Sequence, residues 1–286
     1  MIAPDSFVTG MDWLLERSVG RGMNGTTFGQ QSFTDLDYAD DVSLLAELLE
    51  LLVPVLEVFQ EEAAPLGLEV NWQKTMVQAL GSKKDEPSSL LVCGHDVQCV
   101  DAFIYLGSLI HSSCSSEPEI RRRSAMTRTA MQSLDRHLWR SRITTLTKLR
   151  LYNAYILPIM LYGSESWTVN KADVLRIDAL DQWCLRRILD IRWYDFVRND
   201  VVRRMTQQPP LSSIVKYRRL SLFGHLARMN EMADANRVLF EQPPENCRRP
   251  PGRPRSTWIR NITDDLSSFY MGLLEASVLL EDVNEA

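Results

Sequence analysis

Near Glu117 the hydrophobic pattern of this chain changes period, and that change constrains the fold more than any other feature. Before it, apolar residues come in short runs broken by glycine, proline and aspartate. After it, they recur every three to four residues over long stretches. Short runs between turn residues suit an antiparallel sheet, and long periodic stretches suit packed helices. The expectation is an α+β chain in three parts: an antiparallel sheet with helices on one face over residues 1–110, a helical region over 111–165, and a basic helical region over 166–286.

In the first part, Pro4 stands at a helix-start position and Phe7, Met11, Leu14, Leu15 and Val19 follow at helical spacing, which predicts a helix over 4–18. Glycine-rich RGMNGTTFG breaks it. The runs FTDLDYA and VSLLA flank Asp40-Asp41, so a hairpin with the acidic pair at its tip is expected. Asp35, Asp37, Asp40 and Asp41 fall within seven positions. They form either a solvated turn or, because adjacent carboxylates repel unless a cation lies between them, a divalent-metal site. A helix is expected over 48–64, with Pro54 in its first turn or at a kink. Short strands are expected at 68–71, 75–80, 90–93 and 103–106, and a Ser-rich turn after Gly107.

Winding residues 119–142 at about 100° per residue puts Ile120, Ala130, Met131, Leu134 and Leu138 on one side. Arg121, Arg122, Arg128, Arg136 and Arg140 fall on the other, where they would meet phosphates. Further helices are expected at 145–161, 172–189 and 211–229. CRRPPGRPRSTW, which holds Arg249, Arg253 and Arg255, is an extended Pro/Arg segment before a last acidic helix. Its Gly-Arg-Pro core suits either minor-groove insertion or a linker that touches phosphates. Trp167, Trp183, Trp193 and Trp258 have rings that could stack bases, but at helical spacing in apolar settings core packing is the expected role.

The net charge of −5 conceals a division. Residues 1–120 carry 5 Lys/Arg against 19 Asp/Glu, whereas residues 121–260 carry 27 against 12. Such an Arg-rich stretch favours a polyanionic partner. Five cysteines at irregular spacing suit a reducing compartment, so an intracellular location, nucleus or cytoplasm, is expected. Cys93, His95, Cys99, His111 and Cys114 are ligand-type residues without a familiar zinc spacing. LYNAYILPIMLYG is too short to span a bilayer and no signal peptide is apparent, so no membrane partner is expected.

Five segments in sequence order carry a resemblance. Tyr38-Ala39-Asp40-Asp41 resembles the Y/F-x-D-D signature of reverse transcriptases, and its surroundings resemble the LINE-type branch of non-LTR retrotransposons. Ala3 to Phe7 is similar to the end of the segment before that hairpin. Gly67 to Thr75 resembles the G-L-x-x-N-x-x-K-T block, Phe103 to Ser108 the Y-L-G primer-grip turn, and Glu119 to Arg123 the start of the thumb helix. The resemblance extends over nearly the whole chain.

It implies a truncated polymerase palm, then a helical thumb and a C-terminal region: a fragment of an RNA-directed DNA polymerase whose partners are an RNA template and a DNA primer. It implies Asp40 as direct ligand of Mg²⁺ or Mn²⁺ with Asp41 beside it, Tyr38 in the nucleotide pocket, and Lys74 near the pyrophosphate. Phe103, Tyr105, Leu106 and Gly107 would contact the primer. Lys74 is equally an ordinary surface lysine, and Phe103 and Tyr105 equally suit sheet packing. In the family a further catalytic carboxylate and the fingers lie upstream of the segment where this sequence opens. Weak metal binding and no activity of the chain alone are therefore expected, with the N-terminal half of the polymerase as a further partner. The alternative is a non-catalytic nucleic-acid-binding or scaffold protein derived from a degenerate element.

Overall fold

A computed structural model describes residues 3–19, 25–28, 31–81, 87–240 and 256–268. They fall into two compact units. One runs to Phe103 and includes Phe240; the other holds Ile104–Leu239 and residues 256–268.

In the first unit, α1 (Ala3–Val19) buries Met11, Leu14, Leu15 and Val19 along one stripe, as their spacing requires. Strands β1 (Thr26–Phe28) and β2 (Gln31–Phe33) pair antiparallel. So do β3 (Asp35–Tyr38) and β4 (Asp41–Leu44), the hairpin expected from sequence. Val42 and Leu44 of β4 pack on α1 and on α2 (Leu52–Ala63) through Met11, Leu14, Leu15, Val55 and Phe59. Pro54 lies in the first turn of α2, where its missing N–H would have had no helical acceptor, so it is tolerated without a kink. Beyond it, β5 (Met76–Val77) runs parallel to β7 (His95–Cys99), which also pairs antiparallel with β6 (Ser89–Val92). Val77, Val92 and Val97 of these strands form a small core with Leu52, Leu56 and Trp72.

One continuous antiparallel sheet does not form. Among the described residues the strands belong to four separate sheets of two or three strands, one containing the parallel pair. Residues 68–71 are irregular rather than a strand. Gly67 ends the preceding helical segment at φ 72, and the Asn71 carbonyl accepts the N–H groups of Lys74 and Thr75 and the Thr75 hydroxyl, which closes a turn. β7 has little signature in the sequence, since Val97 alone of its residues is buried.

The division between the units falls within β8 (Ala102–Tyr105), which pairs with β9 (Ser108–His111), a returning strand that was not expected; the Ser-rich turn follows it at 112–116. Helix α3 (Glu117–Ser133) stops short of residue 142. A π-helical turn at Asp135–Trp139 re-registers the chain so that Trp139 is buried, its indole N–H donating to the Met131 carbonyl at 2.9 Å. The run expected over 145–161 divides into α4 (Thr145–Leu151), a π-helical turn at Tyr152–Ile156 and α5 (Leu157–Leu161). Pro158 lies just after that turn and lacks the N–H that would bond the carbonyl of Ala154.

α6 (Lys171–Ile188) starts on a reciprocal cap between Asn170 and Asp173. α7 (Asn199–Thr206), α8 (Leu211–Ala227), α9 (Asp234–Phe240) and α10 (Trp258–Ser267) follow. α7 and α9 were not expected. One core, containing Ile120, Met131, Trp139, Tyr152, Trp167, Leu180 and Val215, joins residues on both sides of position 165. A second unites α8, α9 and α10 through Phe223, Leu239 and Ile262. No helix among the described residues is long and apolar enough to cross a membrane.

Candidate functional site

The four clustered aspartates separate onto different sides of the β3–β4 hairpin. Register pairs Asp35 with Leu44, Asp37 with Val42, Leu36 with Ser43 and Tyr38 with Asp41. Opposed residues share a face. Asp35 and Asp37 therefore lie on the face that also carries the packed Val42 and Leu44, and Asp41 shares the other with Tyr38. Asp40 occupies the two-residue tip. Asp40, Asp41 and Tyr38 are all exposed, Tyr38 to 66%. Ala39, the first tip residue, has φ 58, a left-handed conformation that is costly for a residue with a Cβ. The cost falls beside the candidate metal ligand.

Among the described residues, no group of three or more His, Cys, Asp or Glu side chains is placed to hold a metal. This applies to the aspartates and to Cys93, His95, Cys99, His111 and Cys114 alike. Asp40 and Asp41 supply hard oxygen donors of the kind Mg²⁺ takes, but two adjacent carboxylates make an incomplete set. Lys74 is exposed in the turn closed by Asn71, and no hydrogen bond or ion pair joins it to Asp40 or Asp41. Trp72 in that turn stacks on His95 with ring centroids 5.4 Å apart.

In the second unit, the Tyr105-Leu106-Gly107 turn is fastened by a charge network. Leu106 and Gly107 have φ 45 and 80, the paired positive values of a tight hairpin turn. The Gly107 carbonyl accepts from Arg122 at 2.7 Å and Arg123 at 2.5 Å, and both guanidinium groups also donate to Glu119 at 2.7 Å. Tyr162 donates to the Leu106 carbonyl at 2.7 Å while the Arg123 guanidinium lies 4.5 Å from its ring centroid. A Cβ at Gly107 would press the Tyr162 ring, and one at Gly163 would come within 2.5 Å of the Ser108 hydroxyl. The positive φ of both positions favours glycine, and a Cβ at Gly163 would also displace the Ser108 side chain. Glu119, Arg123 and Tyr162 are the members sequence reasoning missed. Nothing in their own sequence setting distinguishes them from surface residues.

The arginines expected to form one phosphate-facing surface divide into two groups. Arg121 pairs with Glu117 at 2.6 Å, Arg122 with Glu119, and Arg140 with Asp135 at 2.8 Å. Hydrogen bonding by Arg121 holds the Glu117 carboxyl below the usual carboxylate range. Arg128 and Arg136 are exposed and make no ion pair among the described residues, although the break at Ser133 means that they are not on one helix. Arg249, Arg253 and Arg255 lie outside the described residues, as does the Gly-Arg-Pro motif. Phe103 and Tyr105 are half-buried.

A buried polar cluster around Asp181 is structural in character. Tyr152 donates to Asp181 at 2.5 Å and Arg203 pairs with the other carboxylate oxygen. Burial pushes the Cys184 thiol up to about 12, so that at neutral pH it stays protonated and is a poor nucleophile.

Comparison with known proteins gives one informative match. A transposon-derived protein of Caenorhabditis elegans is 28% identical over 247 residues, which covers 83% of this chain and 87% of that protein. The similarity points to a transposon origin. No family model matches the chain, and no solved structure matches it.

Proposed function

We propose that this chain is the C-terminal part of a LINE-type reverse transcriptase, comprising part of a palm, a thumb and a basic C-terminal region, and that it binds nucleic acid but does not polymerise alone. The observation that carries the reading is the hairpin: Asp40 at an exposed two-residue tip, with Asp41 and Tyr38 paired beside it. Similarity to a transposon-derived protein and the order of the five sequence segments support it. Asp40 and Asp41 would hold Mg²⁺ or Mn²⁺, which when bound supplies charge neutralisation at an attacking 3′-hydroxyl and a leaving pyrophosphate. Tyr38, on the face shared with Asp41, would floor the nucleotide pocket. The network of Glu119, Arg122, Arg123 and Tyr162 would hold the Leu106-Gly107 turn rigid against a primer strand. Arg128 and Arg136 would meet phosphates.

The test is primer extension on an RNA template with three samples. These are the chain alone, the chain complemented by a polypeptide carrying the fingers and the partner aspartate, and the complemented Asp40→Asn variant. The expected result is extension by the second sample only, with nucleic-acid affinity unchanged in the third. Synthesis by the chain alone would overturn the reading of an incomplete palm. Equal synthesis by both complemented samples would remove Asp40 from the mechanism, and no synthesis by either would favour a non-catalytic binding protein.

A further inference from the structure

Trp193 departs from the core role its sequence setting suggests. Trp139 and Trp167 are 1% and 2% exposed, but Trp193 and Phe196 are each 87% exposed and Tyr194 is 48% exposed. Two of three aromatic rings within four residues therefore stand almost wholly in solvent, and the third is half exposed. Single exposed apolar side chains are ordinary, but a contiguous group indicates a contact surface.

This loop is anchored. Ile191 and Val197 at its two ends pack against the main core of the unit. Between them the Arg192 N–H donates to the Asp195 carboxylate at 2.7 Å, the Arg192 guanidinium donates to the Tyr194 hydroxyl at 2.8 Å, and Arg186 donates to the Val197 carbonyl at 2.6 Å. Phe196 has φ 50, which is unfavourable for a bulky residue, yet its ring gains no burial in return. Strain at an anchored position without a folding benefit is typical of functional sites.

We propose that the loop from Arg192 to Arg198 is a stacking platform for the unpaired bases of single-stranded nucleic acid. The inference rests on the nucleic-acid reading above and assigns it a site. Flat exposed rings stack on any base, and neighbouring guanidinium groups take the phosphates. Arg192 and Arg198 bracket the rings, and the Asp195 carboxylate is engaged by backbone. Arg192 and Arg198 are exposed and make no ion pair among the described residues, which favours a polyanion over a second copy of this chain. Single strands are selected because duplex bases already stack on one another.

The experiment is fluorescence anisotropy of the full chain with labelled oligo-dT, oligo-U and a duplex of the same length, over a range of salt. Parent protein is expected to bind both single strands more tightly than duplex. Trp193→Ala/Phe196→Ala is expected to weaken single-strand binding roughly tenfold or more without changing the salt slope, because stacking releases no counterions. Trp193→Phe should retain most of the affinity, and Arg198→Ala should reduce the slope. Both deleted rings are already in solvent, so the double variant should unfold at the parent's temperature. Parent-like binding by the double variant overturns the platform alone, as does equal loss for duplex and single strand. Loss of self-association in place of nucleic-acid binding would assign the loop to protein contact and also overturn it. Failure of the parent to bind any of the three probes overturns both this site and the nucleic-acid reading.

Discussion

The acidic first unit and the basic second unit use their charged residues in opposite ways. In the first, the hairpin carboxylates Asp40 and Asp41 are exposed and make no ion pair among the described residues, and the apolar clusters beneath are small. In the second, charges are drawn inward: Glu119, Arg123, Asp135, Asp181 and Arg219 are all buried and paired around one extensive core. A count of arginines along the sequence therefore overstates the free positive surface, whereas three of the four hairpin aspartates, Asp37, Asp40 and Asp41, are exposed. The difference teaches where function is affordable. A carboxylate that holds the fold together is not free to take a metal or a substrate.

The sharpest way to break this comparison is to remove one carboxylate from each unit. Glu119→Ala leaves the guanidinium of Arg123 buried with only carbonyl acceptors, and the expected cost is about 3–5 kcal/mol. Glu62→Ala in the first unit removes a partly exposed pair with Arg17 and should cost at most about 1 kcal/mol. Urea unfolding followed by circular dichroism reads both. Similar losses in the two variants would mean that burial of charge does not separate the units.

How much of this was legible in the sequence follows the same division. The helix at Ala3–Val19 and the core side of α3 were readable because apolar spacing reports burial directly: Ile120 and Met131 are fully buried, and Ala130, Leu134 and Leu138 pack beside them. The hairpin was readable because four aspartates between strand-like residues leave few alternatives. Glu119, Arg123 and Tyr162 were not readable, since a buried ion pair looks like a surface charge until the partner from another element is known. The end of α3 was missed because the following π-helical turn preserves an approximate helical spacing while changing which side chain faces inward. Trp193 was misread because apolar character in a sequence does not distinguish a ring that fills a core from one that waits at the surface.

A second, smaller effect concerns acid. Hydrogen bonding by Arg187, opposed by burial and aided by the charges of Arg187 and Arg140, holds the Asp135 carboxyl below its ordinary range. A carboxylate with a lowered folded-state pKa contributes stability that is present above the unfolded value and lost as pH falls through the folded one. The parent should therefore lose about 1 kcal/mol on acidification from about pH 5 to about pH 2 that Asp135→Asn does not lose. At neutral pH, Asp40→Asn should leave stability within about 0.5 kcal/mol of the parent, because its side chain is exposed and makes no ion pair among the described residues. Denaturant titrations at stepped pH test the first expectation and a single titration the second. An Asp135→Asn variant with the parent's acid dependence would place that dependence elsewhere.

The finest comparison uses the same substitution in each unit. Ala125 is exposed in the middle of α3, where replacing alanine by glycine frees the unfolded chain and should cost about 1 kcal/mol. Ala39 has φ 58, so glycine there should relieve about 1–2 kcal/mol of left-handed strain, against about 0.5–1 kcal/mol of added unfolded-state freedom. Ala125→Gly should therefore destabilise, and Ala39→Gly should be neutral or stabilising. Equal destabilisation by the two would show that the hairpin tip is unstrained in solution. If Ala39→Gly does stabilise, its effect on extension by the complemented protein becomes informative. Reduced synthesis by a better-folded variant would mean that the strained backbone at residue 39 sets the position of the Asp40 carboxylate, so that the strain in this turn persists for the chemistry beside it.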